Sequence, residues 1–208
     1  MIQLTEAYRP KRIRDFAGLT RAKALFGHLA KAPYESAWML EGASGTGKTT
    51  LALALAEEIG AQVIHVPAAD CTIERVREIR DITRNGNMFA SWYVVLVDEA
   101  DRMSPTAQVA FLSMLDATGM PKGCIFVFTT NEPQRFEDRF RKRCREIEFD
   151  GGAESQEVAN FLTGVWYRET GGQLPTFRMR DFIESNGGNV RGALMAMEME
   201  LICQAVAA

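Results

Sequence analysis

Residues 42–49 of this 208-residue chain read Gly-Ala-Ser-Gly-Thr-Gly-Lys-Thr, a match to GxxxxGK[ST]. This pattern constrains the fold more than any other feature, because it works only between a strand and a helix. Both flanks comply. Ala37 to Glu41 is a short apolar run that reads as a buried strand, and Lys48 to Ile59 is an Ala- and Leu-rich helix closed by Gly60. The glycines at Gly42, Gly45 and Gly47, with Ala43, Ser44 and Thr46 between them, let the backbone wrap so that consecutive N–H groups face phosphate oxygens. The helix that starts there turns its positive end to the same anion. Lys48 reaches the β- and γ-phosphates, the Thr49 hydroxyl suits Mg2+, and Thr50 follows in the first turn. A glycine-rich turn that only imitated the pattern would lack these flanks.

The remaining periodicity extends the same architecture. Gln62 to Val66, Trp92 to Val97, Ile125 to Thr130 and Glu146 to Phe149 read as short strands. Helical patterns lie between them: one from an N-cap at Thr20 to Lys31, then Ile73 to Arg84, Ser104-Pro105 to Ala117, and Gln134 to Arg143. Strands apolar on both faces, alternating with helices, indicate an α/β fold with a parallel sheet covered on both sides. The composition changes near Asp150-Gly151-Gly152. Beyond it lie only helical patterns, Glu154 to Glu169, Thr176 to Ser185 and Val190 to Cys203. The expected organisation is a nucleotide-binding α/β domain over 1–150 and a small all-helical domain over 151–208, too small to be stable without the first.

Val94-Val95-Leu96-Val97-Asp98-Glu99 is an apolar strand ending in two carboxylates. Ligands of open α/β sheets bind at the carboxyl ends of strands. Asp98 is therefore placed to hold Mg2+, and Glu99 to orient or deprotonate an attacking water. Asp101 reads equally well as a solvated acid or a helix cap. Asn131 ends a neighbouring strand, where it can hydrogen-bond a γ-phosphate or that water, and where taken alone it reads as an Asn capping the strand end.

Apolar residues make up 47% and charged residues 25%, a globular balance that excludes a disordered tail, a fibre or a coiled-coil rod. Runs such as Tyr93 to Val97 are far shorter than a membrane span, and the N-terminal residues carry no secretory pattern. Four scattered cysteines without a CxxC pair argue against a zinc knuckle and a disulfide framework, and fit a reducing cytosol. With a net charge of −3, any nucleic-acid contact must come from a local basic patch.

With these motifs in order, the chain resembles AAA+ ATPases, and within them the small subunits of sliding-clamp loaders of the replication factor C type. Tyr8-Arg9-Pro10, then Asp15 and Gly18, resemble the family's N-terminal nucleotide-contacting segment. Gly42 to Thr49 corresponds to its phosphate loop, Asp98-Glu99-Ala100-Asp101 to its acidic box, and Ala107-Gln108 to a pair in the following helix. Phe128-Thr129-Thr130-Asn131 resembles the first sensor. Arg143-Cys144 resembles the end of a Ser-Arg-Cys motif that supplies a trans-acting arginine finger. Gly188-Asn189-Val190-Arg191 resembles the lid motif whose arginine is the second sensor. The resemblance implies an AAA+ P-loop NTPase fold with a helical lid, ATP and Mg2+ as ligands, and ATP hydrolysis coupled to assembly on DNA or a sliding clamp in replication or repair. It implies self-association or a larger AAA+ subunit as partner, and a cytoplasmic, nucleoid-associated or phage-encoded protein. Remodelling of another protein–DNA complex, or a nucleotide-dependent scaffold, are the alternatives.

The sequence departs from that family in three places. Lys142 stands where the finger motif has Ser. Leu112 and Ser113 stand where related subunits carry a basic pair. The family's third, collar-forming helical domain has no counterpart in this chain.

Two basic clusters remain. Arg77, Arg80 and Arg84 fall on one face of a helix, apart from Val76, Ile79 and Ile82, a spacing that suits a phosphate backbone. The alternative is a solvated face knitted by Glu74, Glu78 and Asp81. Arg135, Arg139, Arg141, Lys142, Arg143 and Arg145 read as a subunit interface. His28 and His65 carry no partner pattern and read as structural or exposed. Met195, Met197 and Met199 read as core or interface.

Overall fold

A computed structural model of the chain describes residues 3–84, 90–116, 118–150 and 155–207. Helix α1 (Leu4–Ala7) and α2 (Thr20–Lys31) precede strand β1 (Ser36–Gly42). There follow α3 (Lys48–Glu58), β2 (Gln62–Pro67), α4 (Ile73–Arg84), β3 (Tyr93–Asp98), α5 (Pro105–Leu115) and β4 (Cys124–Thr130). The sheet closes with α6 (Asp138–Arg141) and β5 (Arg145–Phe149), and α7 (Gln156–Glu169), α8 (Met179–Ser185) and α9 (Val190–Ala207) complete the chain.

The five strands are all parallel, in the order β2-β3-β4-β1-β5. The strand alternation sorts the apolar side chains onto two faces. Trp38, Leu40, Val94, Leu96, Ile125 and Val127 meet Phe26 and Leu29 of α2 and Leu51 and Leu55 of α3. Met39, Val95, Val97, Phe126 and Phe128 meet Val76 and Ile79 of α4 and Phe111 and Met114 of α5. Phe111 and Phe128 pack edge to face at 5.3 Å, and such fully buried side chains each contribute about 1.5–3 kcal/mol by burial alone.

A third cluster joins Val158, Leu162 and Trp166 of α7 to Ile183 of α8 and Leu194 and Met197 of α9. Leu4 belongs to this cluster and not to the sheet, and its N–H donates to Glu198 on α9 at 3.0 Å. The first helix thus packs on the last.

Three local expectations change. Thr20 does not cap α2. The N-cap is Leu19, in the left-handed region after Gly18, and this double turn swings the chain into the helix. The segment from Gln134 to Arg143 is not one helix. Pro133–Arg135 forms a single tight turn, and Phe136 leaves it extended to bury its ring against Phe140 before α6 begins. Ile82 is 39% exposed while Thr83 is buried with its hydroxyl on Ile79 O, so the inner face of α4 runs Val76, Ile79, Thr83. Ala117, Gly151, Gly152 and Glu154 lie outside the described residues.

Candidate nucleotide site

β1 ends at Gly42 and α3 begins at Lys48, so the intervening loop sits at the carboxyl edge of the sheet, beside the ends of β3 and β4. Two glycines are fixed by contact. A Cβ on Gly42 would lie 2.2 Å from the Phe149 carbonyl, and one on Gly45 would lie 2.6 Å from Asn189 Oδ1. Gly47 caps α3 in the left-handed region. Thr46 secures the turn through its hydroxyl on Ala43 O at 2.9 Å.

Lys48 is buried and donates three hydrogen bonds, to Gly42 O at 2.7 Å, Ala43 O at 2.8 Å and Asn131 Oδ1 at 2.9 Å. Burial holds its pKa below the usual lysine value, and the Asp98 and Asp101 carboxylates oppose that shift. Thr49 donates to Asp98 Oδ1 at 2.7 Å, and Thr129 donates to the same oxygen at 2.5 Å. A hydroxyl and a carboxylate at one lip of the loop are the hard oxygen donors that Mg2+ takes from a protein, so Thr49 and Asp98 fit that ion.

Glu99 lies past the strand end at φ 53°, rare for a non-glycine residue. Its N–H donates to Thr129 Oγ1 at 3.0 Å, and its carboxylate pairs with Arg102 at 3.1 Å. The turn sends Asp101 inward. Asp101 is buried and accepts from the Thr130 hydroxyl at 2.9 Å and the Asn131 N–H at 3.2 Å.

Ser44, Gly45, Gly47, Lys48, Thr49, Thr50, Asp98, Glu99, Asn131 and Arg191 therefore share one cleft of about 110 Å3. A larger cavity of about 520 Å3 adjoins it. Tyr8, Arg9, Pro10, Thr46 and Thr50 line this cavity, with Phe16, Phe161, Arg191 and Leu194. Arg191, in the first turn of α9, is common to both. Tyr8 is tied to the helical module by its hydroxyl on Glu169 at 2.6 Å and by Arg168 over its ring.

Other residues fall outside. Gly18 lines neither cavity and packs its left-handed turn on Val158. Ala43 contributes a carbonyl to Lys48. Arg143 also lines neither. Its Nε donates to Asp116 at 2.5 Å and its Nη1 to the Arg139 carbonyl at 2.7 Å.

The α4 arginines separate. Arg77 and Arg84 are exposed and form no ion pair among the described residues. Arg80 is half-buried and donates to Ser113 Oγ at 2.6 Å on α5. Burial pushes the Cys71 thiol up to about 11 and Cys144 up to about 12, so neither is a nucleophile at neutral pH.

Sequence reasoning missed four participants. Thr129 and Thr130 stood only as the neighbours of Asn131 in the run that resembles the first sensor, Asp101 was ambiguous, and His65 came from a strand with no partner pattern. His65 Nε2 lies 3.7 Å from Asp98 Oδ2 because β2 and β3 pair in register beside it. The Thr-Thr-Asn run ending a strand was the one available signal.

Comparison with known proteins gives a family and a fold. Residues 38–151 match the family described as ATPase family associated with various cellular activities (AAA). A replication factor C large subunit of Natronomonas pharaonis is 25% identical over 95% of this chain and 41% of its own length. The sliding-clamp-loader large subunit of Escherichia phage RB69 is 31% identical over 55% of this chain and 36% of its own. The chain thus spans less than half the length of either relative. The RuvB Holliday junction branch migration motor of Thermotoga maritima superposes with a TM-score of 0.73 at 17% identity, covering 92% of this chain and 64% of that one. That likeness concerns the fold.

Proposed function

The chain belongs to the AAA family of ATPases, and we propose that it binds and hydrolyses Mg·ATP as a subunit of a clamp-loader-type assembly acting on DNA. The convergence of Lys48, Thr49, Asp98, Glu99 and Asn131 on one cleft carries the reading. The loop from Gly42 to Thr49 cradles the triphosphate, with Lys48 on its β- and γ-oxygens. Thr49 and Asp98 would hold Mg2+, which would supply positive charge to the phosphates. Glu99 orients a water in line with the γ-phosphorus and accepts its proton as the bond from phosphorus to the β,γ-bridging oxygen breaks. Asn131 hydrogen-bonds the γ-phosphate or that water. The base and ribose occupy the cavity lined by Tyr8, Arg9 and Pro10, and Arg191 reports the γ-phosphate to the helical module.

Arg143 acts on the nucleotide of a neighbouring subunit, a second copy or a larger AAA+ protein, and the basic face around it is the contact surface. The sheet with its flanking helices and the helical module, onto which the first helix packs, move as the two parts of that machine. DNA runs past Arg77 and Arg84, with Arg80 committed to α5. A sliding clamp is the client. No helix among the described residues is long and apolar enough to cross a membrane.

The test is ATP turnover measured alone, with primed DNA and with a sliding clamp. Stimulation by both supports the reading. Turnover that ignores both leaves an ATPase with another client.

A further inference from the structure

Asp101 has no role in the hydrolytic scheme above, yet it is 8% exposed. It makes no ion pair among the described residues, although burying a carboxylate costs several kcal/mol unless its oxygens are well bonded. Its side-chain hydrogen bonds among the described residues go to the end of β4 and the residue after it. One oxygen, Oδ1, accepts from both the Thr130 hydroxyl and the Asn131 N–H. Asn131 is the residue whose own Oδ1 meets Lys48. β4 stays paired with β1 as far as Thr130, and just beyond it a buried carboxylate holds the Asn131 N–H.

We propose that Asp101 is a positioning residue: through Thr130 and the Asn131 N–H it holds the Asn131 amide at the height where a γ-phosphate arrives. The inference rests on the reading of Asn131 as a γ-phosphate contact. The left-handed backbone of Glu99 turns the chain between Asp98, which accepts from Thr49 and Thr129, and Asp101, which accepts from Thr130 and Asn131. The acidic box therefore divides into a half that serves the metal and a half that serves Asn131.

The experiment compares affinity for Mg·ATPγS with affinity for Mg·ADP, by titration of the full chain. The wild type favours the triphosphate, and Asn131→Ala lowers that preference by about tenfold, the size of one hydrogen bond to a charged group. Asp101→Ala should lower it by a similar factor, and the double variant Asp101→Ala/Asn131→Ala should lose no more than either alone. Asp101→Asn keeps an acceptor oxygen and should retain the preference to within about twofold. A merely structural role would instead lower both affinities together and add to the Asn131→Ala loss. If Asp101→Ala does not fold, Thr130→Val carries the same comparison with a partial loss that vanishes in the Asn131→Ala background.

An unchanged preference in Asp101→Ala, or losses that add, overturns the positioning role while leaving Asn131 in place. If Asn131→Ala itself binds like the wild type, or the wild type does not bind nucleotide, the underlying reading fails and takes this inference with it.

Discussion

Lys48 Nζ and Asn131 Oδ1 lie 2.9 Å apart although 83 positions separate them in the chain. The bond crosses from the start of α3 to the end of β4, and it exists because β1 and β4 are adjacent in the sheet. It also means that the ammonium already has three protein acceptors. A triphosphate must replace at least part of that set, so nucleotide arrival is felt directly by Asn131.

Lys48→Ala should abolish nucleotide binding, because the loop loses its in-loop cation and the Asn131 amide loses its partner. Titration with a fluorescent ATP analogue checks this. Unchanged affinity would make the loop a structural turn.

Glu99→Gln should bind Mg·ATP as the wild type does and hydrolyse it at least about a hundredfold more slowly, since the amide keeps the shape and loses the base. The Glu99 carboxylate pairs with Arg102 at an exposed site, so this ion pair contributes little to stability and the variant should melt normally. Single-turnover hydrolysis at the wild-type rate would remove Glu99 from the chemistry.

How far these residues were legible beforehand depended on whether their signal was local. The loop and the acidic strand carry their chemistry in consecutive positions, so the residues from Gly42 to Thr49 and the pair Asp98 and Glu99 could be read directly. Strands β1, β3 and β4 were equally legible as short apolar runs, whereas β5 alternates charged and apolar residues and gave a weaker signal. Thr129 and His65 could not be read this way. Their relation to Asp98 comes from the lateral order of β2, β3 and β4, and strand order has no signature within any one strand. Thr20 failed for a different reason. Its hydroxyl suits a cap, but the left-handed turn at Gly18 and Leu19 starts the helix one residue earlier than the side chain suggests.

Arg143→Ala should bind ATP normally and lose hydrolysis by about 10³–10⁵, the usual worth of an arginine finger. Mixing it with Lys48→Ala should restore some turnover, because one chain offers an intact pocket and the other an intact finger. Specific activity should also rise with protein concentration. Activity per chain that stays constant on dilution of a demonstrated monomer would rule out action in trans.

The α4 arginines should differ in their effect on DNA. Arg77→Ala and Arg84→Ala should each flatten the salt dependence of duplex binding by about 0.9 in log–log slope. Arg80→Ala should leave the slope unchanged and lower the melting temperature instead, because its guanidinium is engaged with Ser113 on α5. Equal slopes for all variants and the wild type would return this face to solvent.

The junction of Leu4 with Glu198 has a consequence for how the protein is made. The large cavity is walled on one side by residues from the first helix and its following turn, and on the other by residues from α9. A growing chain on the ribosome folds its N-terminal portion first, so the phosphate loop and the sheet around it can form while the last helix is still inside the exit tunnel. The far wall of the larger cavity cannot. Only after α9 has emerged does the Leu4 N–H meet Glu198 and the apolar cluster around Leu4 close. The larger cavity is thus closed only once α9 has been made, and a translation intermediate that stops before α9 has the glycine-rich loop without a complete chamber beside it.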